Sequence, residues 1–351
     1  MLEKPAIEDA SIHAALRNDF NLAVRQIDFL PLGADLNTAV YRATTAEGAA
    51  YFVKLRTGAF NEITVTLPAY LAAQGIRQIV PPLSTKDGRH WSAFNAGALL
   101  LYPFVTARNG YEVDLSAQHW TQFGAAVKEI HTLELPPALR LRIPTETYTL
   151  RWPQTVRSFL ARVTVETFHE PVAAELAAFL RTQKPMLRDL VEQTEQLAQV
   201  LRTQSPTHVL CHADLHAGNI LIGADGAFYI VDWDNPILAP KERDLMYVGG
   251  AQGFRGHAPA EEEQLFYQGY GATPIDARAL AYYRFARIVE DISIYCEQLL
   301  LSDAGGADRA ESLHYLRSNF QAGGTIERAY AASHLIPAHH VTAAPQSCPA
   351  R

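Results

Sequence analysis

Three polar side chains within residues 207–236 have the types and spacing that phosphoryl transfer requires. Asp214 and Asn219 lie five positions apart in HADLHAGN, and Asp232 follows in the apolar run YIVDW. A carboxylate can accept the hydrogen bond and then the proton of an attacking hydroxyl, which we expect of Asp214. Because Mg²⁺ prefers hard oxygen ligands, Asn219 and Asp232 are predicted to hold it. The pattern therefore predicts metal-assisted transfer of a phosphoryl group to an alcohol.

Short apolar runs must position these side chains. VLCH, NILIG and AFYIVDW are predicted to be buried β-strands, with a tight turn at residues 224–227. The three polar groups then fall at strand ends and on a loop, where catalytic groups usually lie. A zinc site is disfavoured because His212 and His216 lack both the HExxH glutamate and a helical setting. We expect His212 to brace the catalytic loop through hydrogen bonds.

This segment resembles the aminoglycoside phosphotransferase and choline kinase family, whose members are related to protein kinases. HADLHAGN followed by IVDWD carries the resemblance. A NAVY-like segment after Gly33, FVKL at 52–55, IVDWDNPILAPKERDLM and the late RIVEDI extend it to the spectinomycin phosphotransferases of the APH(9) type, over most of residues 1–335. The resemblance implies a two-lobed, protein-kinase-like α+β fold that binds ATP and Mg²⁺. It also implies ATP-dependent O-phosphorylation of an aminocyclitol or aminoglycoside antibiotic, spectinomycin first, with drug resistance as the result.

The resemblance also implies nucleotide-binding residues in the first part of the chain. Lys54, on the strand AYFVKLR, is expected to bind the α- and β-phosphates, and Glu62 to hold Lys54. Gly33 begins a loop whose backbone N–H groups would cover phosphates. Simpler alternatives remain open: Lys54 could be an edge lysine facing solvent, Glu62 a charge at a helix N-terminus, and Gly33 part of a plain hairpin turn.

The buried strand ALLLYPFV, residues 98–105, is predicted to become the hinge between the lobes. Pro103 has no N–H group, so Phe104 and Val105 are the expected backbone contacts of an adenine ring. Simple termination of the strand by the proline is the alternative. The predicted lobes are residues 1–103, for the nucleotide, and 104–336, for catalysis and substrate. The tail 337–351 is predicted to be disordered.

Acidic side chains of the second lobe are candidates for binding a cationic substrate. Glu290 and Asp291 lie mid-way along the helical pattern at 280–301, and Asp234 follows the metal-binding Asp232. A solvated helix face is the alternative for Glu290 and Asp291. Asp234 and Asn235 depart from the DFG pattern of protein kinases, and no activation-loop sequence follows. A protein substrate is therefore not expected.

Composition narrows the partners further. The chain has 351 residues and a net charge of −7, which argues against nucleic acid and is compatible with a small cationic substrate. Its 3 cysteines do not form a disulfide framework, so a reducing cytoplasm is expected. The N-terminus has no apolar core typical of a signal peptide, and no segment has the apolar length of a membrane span.

Two other functions remain open at this point. The first is a kinase for a small amine-bearing metabolite such as choline or a sugar amine. The second is a nucleotide-binding regulator that has lost catalysis, which is disfavoured because the lysine, the base and both metal-binding residues are all present.

Overall fold

In a computed structural model of the chain, the structure describes residues 3–33, 37–303 and 305–336. The expected disordered tail, 337–351, lies outside the described residues. So does the part of the loop after Gly33 that covers residues 34–36.

An antiparallel sheet with the order β1-β2-β3-β5-β4 forms the first lobe. Helix α1 (Asp9–Phe20) covers one face through Ile12 and Leu16, and α2 (Ile63–Ala73) covers part of the other. Successive residues of a strand point to opposite faces, so β3 buries Val53 and Leu55 against α1 and turns Lys54 to the other face. The strands of this sheet are β1 (Gln26–Leu30), β2 (Thr38–Thr44), β3 (Ala50–Thr57), β4 (Ser92–Phe94) and β5 (Gly97–Pro103).

The second lobe is mainly helical. Its long central helix buries residues on several sides and packs against six other helices, in keeping with a sequence that is apolar over most of its circumference. That helix is α10, and its neighbours are α5, α6, α7, α8, α11 and α12. The helices are α3 (Ala117–Thr132), α4 (Pro137–Arg140), α5 (Arg151–Val165), α6 (Pro171–Thr182), α7 (Lys184–Leu201), α8 (Glu242–Leu245), α9 (Pro259–Tyr270), α10 (Ala277–Leu300), α11 (Gly306–Ser318) and α12 (Thr325–Ser333). None of the helices in the described ranges is long and apolar enough to cross a membrane.

Two small sheets lie in the second lobe near the junction with the first. One has the order β6-β8-β9, and in the other β7 pairs with β10 in antiparallel register. A 3₁₀ turn, Ala217–Asn219, leads into β8. The strands are β6 (Ala107–Asn109), β7 (Val209–Cys211), β8 (Ile220–Gly223), β9 (Phe228–Ile230) and β10 (Ile237–Ala239).

Helices α3 and α9 approach each other closely because each presents a glycine at the contact. A Cβ atom on Gly124 would lie 2.0 Å from the carbonyl oxygen of Phe266. A Cβ atom on Gly269 would lie 1.8 Å from the carbonyl oxygen of Thr121. The backbones therefore touch at these positions, and no larger side chain fits without moving one helix.

Candidate active site

A buried carboxylate fixes the backbone just before the candidate base. The chain leaves β7 through His212 and Ala213, whose φ of +69° lies in the left-handed region. The carboxylate of Asp244 in α8 accepts the N–H of His212 at 2.9 Å and that of Ala213 at 2.7 Å. Its Oδ2 atom also lies 3.0 Å from Nε2 of His131 in α3. Asp244 therefore holds the catalytic loop.

The ring of His212 connects the loop of the candidate base to the loop of the candidate metal ligand. Its Nδ1 accepts the N–H of Asp214 at 3.2 Å, and its Nε2 donates to the carbonyl of Val231 at 2.9 Å. These two contacts require the neutral tautomer with the proton on Nε2. The expected bracing role of His212 is thus visible in its hydrogen bonds.

The two carboxylate oxygens of Asp214 have different surroundings. Oδ1 lies 2.6 Å from NH1 of Arg287 and accepts the hydroxyl of Tyr247 at 3.3 Å. Oδ2 has only longer contacts, 3.4 Å to Nδ2 of Asn219 and 3.7 Å to Nε2 of His216. Burial would raise the pKa of Asp214, but the charge and hydrogen bond of Arg287 outweigh it and lower the pKa. The carboxylate is therefore ionised and can accept a proton.

The donor set next to this base fits a divalent cation. Asn219 donates its amide nitrogen to the carbonyl of Asp214 at 2.8 Å, which leaves its amide oxygen without a partner among the described residues. Asp232 has a φ of +65° and contributes a carboxylate. Burial and the charge of Asp214 oppose the fall in the pKa of Asp232 that Lys54 causes, so the carboxylates of Asp214 and Asp232 lie in one electrostatic neighbourhood. An amide oxygen and a carboxylate are ligands that Mg²⁺ prefers.

Lys54 reaches across from the first lobe to this site. Its ammonium lies 2.7 Å from Oδ1 of Asp232 and 2.9 Å from Oδ2 of Asp234, which Arg56 also contacts. Burial would lower the pKa of Lys54, but the two carboxylates outweigh it and raise the pKa. Burial also raises the pKa of Asp232, yet Lys54 outweighs it and holds that pKa below its ordinary value. Burial and the charge of Asp232 raise the pKa of Asp234.

The predicted pairing of Glu62 with Lys54 is wrong in this structure. The carboxylate of Glu62 accepts the indole N–H of Trp91 at 3.1 Å and pairs with Arg142 at 3.0 Å. Asp232 and Asp234 supply the negative partners of Lys54 instead. Asp234, expected on the substrate side, thus has its carboxylate engaged by the first lobe.

Backbone geometry bears on the other predicted nucleotide contacts, which are Gly33, Phe104 and Val105. Gly33 has a φ of +84°, which suits the turn that follows β1. The N–H of Phe104 donates to the carbonyl of Ala50 at 3.3 Å, which extends the sheet. That N–H group is not free to donate to adenine, so a contact of Phe104 with adenine through its carbonyl group stays a prediction. The N–H of Val105 has no partner among the described residues, and Val105 stays the predicted contact.

The acids predicted to bind substrate lie on α10 beside the base. A cavity of about 270 Å³ is lined by Glu290, Arg287 and Arg243, among others, and Arg243 lies 4.0 Å from Glu290. Asp291 Oδ1 lies 2.9 Å from Nε of Arg287. Burial raises the pKa of Asp291 to about 6, and the carboxylates of Glu290 and Asp214 add to the rise. The substrate role of Glu290 and Asp291 stays a prediction.

Sequence reasoning missed three side chains that complete the site. Arg56 lies two residues after Lys54 on β3, so both face the same way, and this spacing was a usable signal. Arg287 lies four residues before Asp291 on one helix face, another usable signal. Tyr247 offered none, because its hydroxyl reaches the catalytic loop only through the fold.

Comparisons with known proteins agree with this geometry. Residues 28–285 match a family model described as the phosphotransferase enzyme family, APH. A crystal structure of spectinomycin phosphotransferase APH(9)-Ia in complex with ADP and spectinomycin is similar, at 33% identity over 94% of this chain and 100% of that chain, with a TM-score of 0.86.

More distant structures share the fold alone. Amicoumacin kinase hAmiN, in complex with AMP-PNP, Ca²⁺ and Ami, is 16% identical over 91% of this chain and 95% of its own, with a TM-score of 0.60. Choline kinase LicA from Streptococcus pneumoniae is 15% identical over 92% of this chain and 99% of its own, with a TM-score of 0.56. A search of curated proteins gives no match.

Proposed function

We propose, because this chain belongs to the phosphotransferase enzyme family APH, that it transfers the γ-phosphoryl group of ATP to a hydroxyl of an aminocyclitol or aminoglycoside antibiotic, with spectinomycin as the first candidate. Family membership makes the chain a phosphotransferase, as the sequence predicted. The predicted kinase-like, two-lobed α+β fold is also confirmed. Spectinomycin as substrate is the finer part of the proposal.

One observation carries that finer part. The likeness to spectinomycin phosphotransferase extends over the full length of that protein, at 33% identity, so it includes the substrate side as well as the nucleotide side. The amicoumacin and choline kinases are 16% and 15% identical, so their likeness supports the fold and not a substrate. A kinase for a small amine-bearing metabolite is therefore the second candidate.

In this proposal the chain's own side chains position two substrates and move one proton. Asp214 accepts the proton of the acceptor hydroxyl as the oxygen forms a bond to the γ-phosphorus of ATP, and ADP leaves. Lys54 binds the phosphates with an ammonium that the carboxylates of Asp232 and Asp234 keep charged. Glu290, on the cavity wall, offers a negative partner to a substrate ammonium.

The residues that would hold Mg²⁺ are Asn219, through its amide oxygen, and Asp232, through its carboxylate. When bound, the metal neutralises charge on the phosphate oxygens and helps to align them. Lys54 contacts Oδ1 of Asp232, and Oδ2 of Asp232 has no partner among the described residues. The chain can therefore supply a metal ligand and keep the phosphate-binding lysine in place at the same time.

Mass spectrometry of reaction products tests the substrate directly. Purified protein is incubated with ATP, Mg²⁺ and one acceptor from a panel of spectinomycin, other aminoglycosides, choline and amino sugars. Phosphorylated spectinomycin is the expected product. Product from choline or an amino sugar alone would contradict spectinomycin as substrate and support the second candidate, a kinase for a small amine-bearing metabolite. Tight ATP binding with no product from any acceptor would support the inactive regulator instead.

The variant Asp214→Asn tests the base. Removing the proton acceptor should lower kcat by about 10²–10⁴-fold, because general base catalysis has that magnitude. Its ATP affinity, measured by calorimetry, should stay near that of the wild type, since Lys54 and Asp232 are unchanged. Asp28→Asn on β1, far along the sequence from the catalytic loop, is the matched control and should keep full turnover. Near wild-type turnover in Asp214→Asn would remove Asp214 from the mechanism.

A further inference from the structure

An arginine connects the candidate base to an acid on the central helix. On α10, Arg287 and Asp291 are four residues apart and so share one face. Nε of Arg287 lies 2.9 Å from Oδ1 of Asp291, and its NH1 lies 2.6 Å from Oδ1 of Asp214. The three side chains are 22%, 23% and 18% exposed, so they form a largely enclosed ionic chain at the edge of the cavity.

The two carboxylate oxygens of Asp214 differ in the number and length of their contacts. Oδ1 accepts both Arg287 and the hydroxyl of Tyr247, and Tyr247 is itself within 3.2 Å of Arg287. Oδ2 has contacts of 3.4 Å to Asn219 and 3.7 Å to His216, which are too long to be strong hydrogen bonds. One oxygen is thus anchored and the other retains most of its capacity to accept a proton.

We propose that Arg287, anchored by Asp291, is a positioning residue that fixes Asp214 with Oδ1 held and Oδ2 presented to the acceptor hydroxyl. This inference rests on the proposed function, since it takes Asp214 as the base. It also changes the expectation for Asp291, whose carboxylate holds Arg287 and is not a substrate ligand. Glu290, whose ion pair with Arg243 is 4.0 Å long, is left as the acid for a substrate ammonium.

The guanidinium is suited to this task for a geometric reason. NH1 donates to Asp214, and the 2.9 Å contact of Nε with Asp291 is an ion pair without hydrogen-bond geometry, so one planar guanidinium engages both carboxylates at once. A lysine ammonium is a single charged point on a flexible stem and cannot hold both carboxylates in one orientation. Orientation is important here because misplacing a reacting group by about 1 Å costs about 10²-fold in rate.

Steady-state kinetics of matched variants test the proposal with whichever acceptor the product assay identifies. Arg287→Gln should lower kcat by about 10²-fold and leave the KM for ATP unchanged. Arg287→Lys should recover only part of the loss, and Asp291→Asn should give a smaller loss in kcat than Arg287→Gln. Arg278→Gln, on the same helix and without an ion pair among the described residues, is the control and should resemble the wild type.

Substrate affinity separates positioning from substrate binding. Glu290→Gln should raise the KM for the cationic acceptor and leave kcat nearly unchanged. Asp291→Asn should lower kcat and leave that KM nearly unchanged. A lower acceptor KM in Arg287→Gln with unchanged kcat would overturn the proposal, because Arg287 would then be competing with the substrate cation. Arg287→Lys and Arg287→Gln, both fully folded, could lose kcat equally. If Asp291→Asn then kept the wild-type kcat, that result would overturn the proposal.

An arm without any acceptor distinguishes failure of this proposal from failure of the proposed function. Crystal structures of the apo wild type and of apo Arg287→Gln compare the orientation of the Asp214 carboxylate directly. Loss of the wild-type orientation in Arg287→Gln supports the proposal even if no antibiotic is phosphorylated. An unchanged orientation of Asp214 in a folded Arg287→Gln variant would overturn the proposal, whatever the substrate.

Discussion

Asp291 has a buried carboxyl whose ionisation the fold opposes. Its pKa rises from the ordinary 3.8 to about 6, first through burial and then through the charges of Glu290 and Asp214, against the attraction of Arg287. The folded chain therefore binds this proton more tightly than the unfolded chain does. Stability from this group is fully present below about pH 4 and is lost as the pH rises through about 6.

Asp291→Asn should remove this pH dependence. Between pH 4 and pH 7 the wild type should lose up to about 3 kcal/mol of unfolding free energy that the variant keeps, because each pKa unit corresponds to about 1.4 kcal/mol. Urea unfolding at several pH values, with Asp28→Asn as control, measures the difference. Parallel stability curves for the wild type and Asp291→Asn would contradict the prediction.

Residues that belong to a recognisable motif could be predicted from the sequence. Contacts between residues that only the fold brings together were predicted less well. The spacing in HADLHAGN identified Asp214 and Asn219 as candidates. The partner of Lys54 was misassigned to Glu62, which is the only acid between Lys54 and Asp87 in the sequence, whereas the structure provides Asp232, 178 residues away. Arg287 is 73 residues from Asp214, and no local pattern in the sequence links the two.

At the scale of elements, the contact between α3 and α9 depends on the absence of two side chains. Gly124→Ala should destabilise the fold by about 1–3 kcal/mol or more, because the new methyl group would overlap a backbone carbonyl that cannot rotate away. Ala125→Ser, which adds one atom on the exposed side of the same helix, is the control. Chemical denaturation measures both, and wild-type stability for Gly124→Ala would show that the helices can separate at little cost.

Elements themselves were predictable where hydrophobic periodicity was long and uninterrupted. The pattern at 280–301 corresponds to α10, with ends that differ by a few residues. Hydrophobic residues continue through 172–202 without a clear break, yet the structure has two helices there, α6 and α7, separated at Gln183. Pro185 occupies the first turn of α7, where its missing N–H group costs nothing, and it marks a helix start that periodicity alone does not reveal.

At the scale of the whole molecule, the two lobes meet through charges that a nucleotide would also use. Lys54 and Arg56 of the first lobe pair with Asp232 and Asp234 of the second. Phosphates would compete for the cations and a metal ion for Asp232. Ligand binding is therefore expected to change the interactions between the lobes and to stabilise the folded state by mass action.

Thermal unfolding with ATP tests this arrangement. Mg²⁺ with ATP should raise Tm, with a gain of about 2.7 kcal/mol when free ligand is 100 times its Kd. In the wild type, EDTA should remove the part of the Tm shift that depends on the metal. Asp232→Asn should lose most of this EDTA-sensitive shift, since it replaces a metal-binding carboxylate. Asp225→Asn, in the turn between β8 and β9, is the control. An identical EDTA-sensitive shift in wild type and Asp232→Asn would exclude Asp232 as a metal ligand.

The left-handed backbone at Asp232 has a consequence for directed evolution. Glycine adopts a φ of +65° without strain, whereas aspartate tolerates it through its short polar side chain. Asp232→Gly would relax the backbone but remove a carboxylate that pairs with Lys54. A library screened only for yield should therefore tolerate Asp232→Gly without enriching it, and a screen for phosphotransferase activity should eliminate it. Sequencing one library under both screens would show this difference at a single codon.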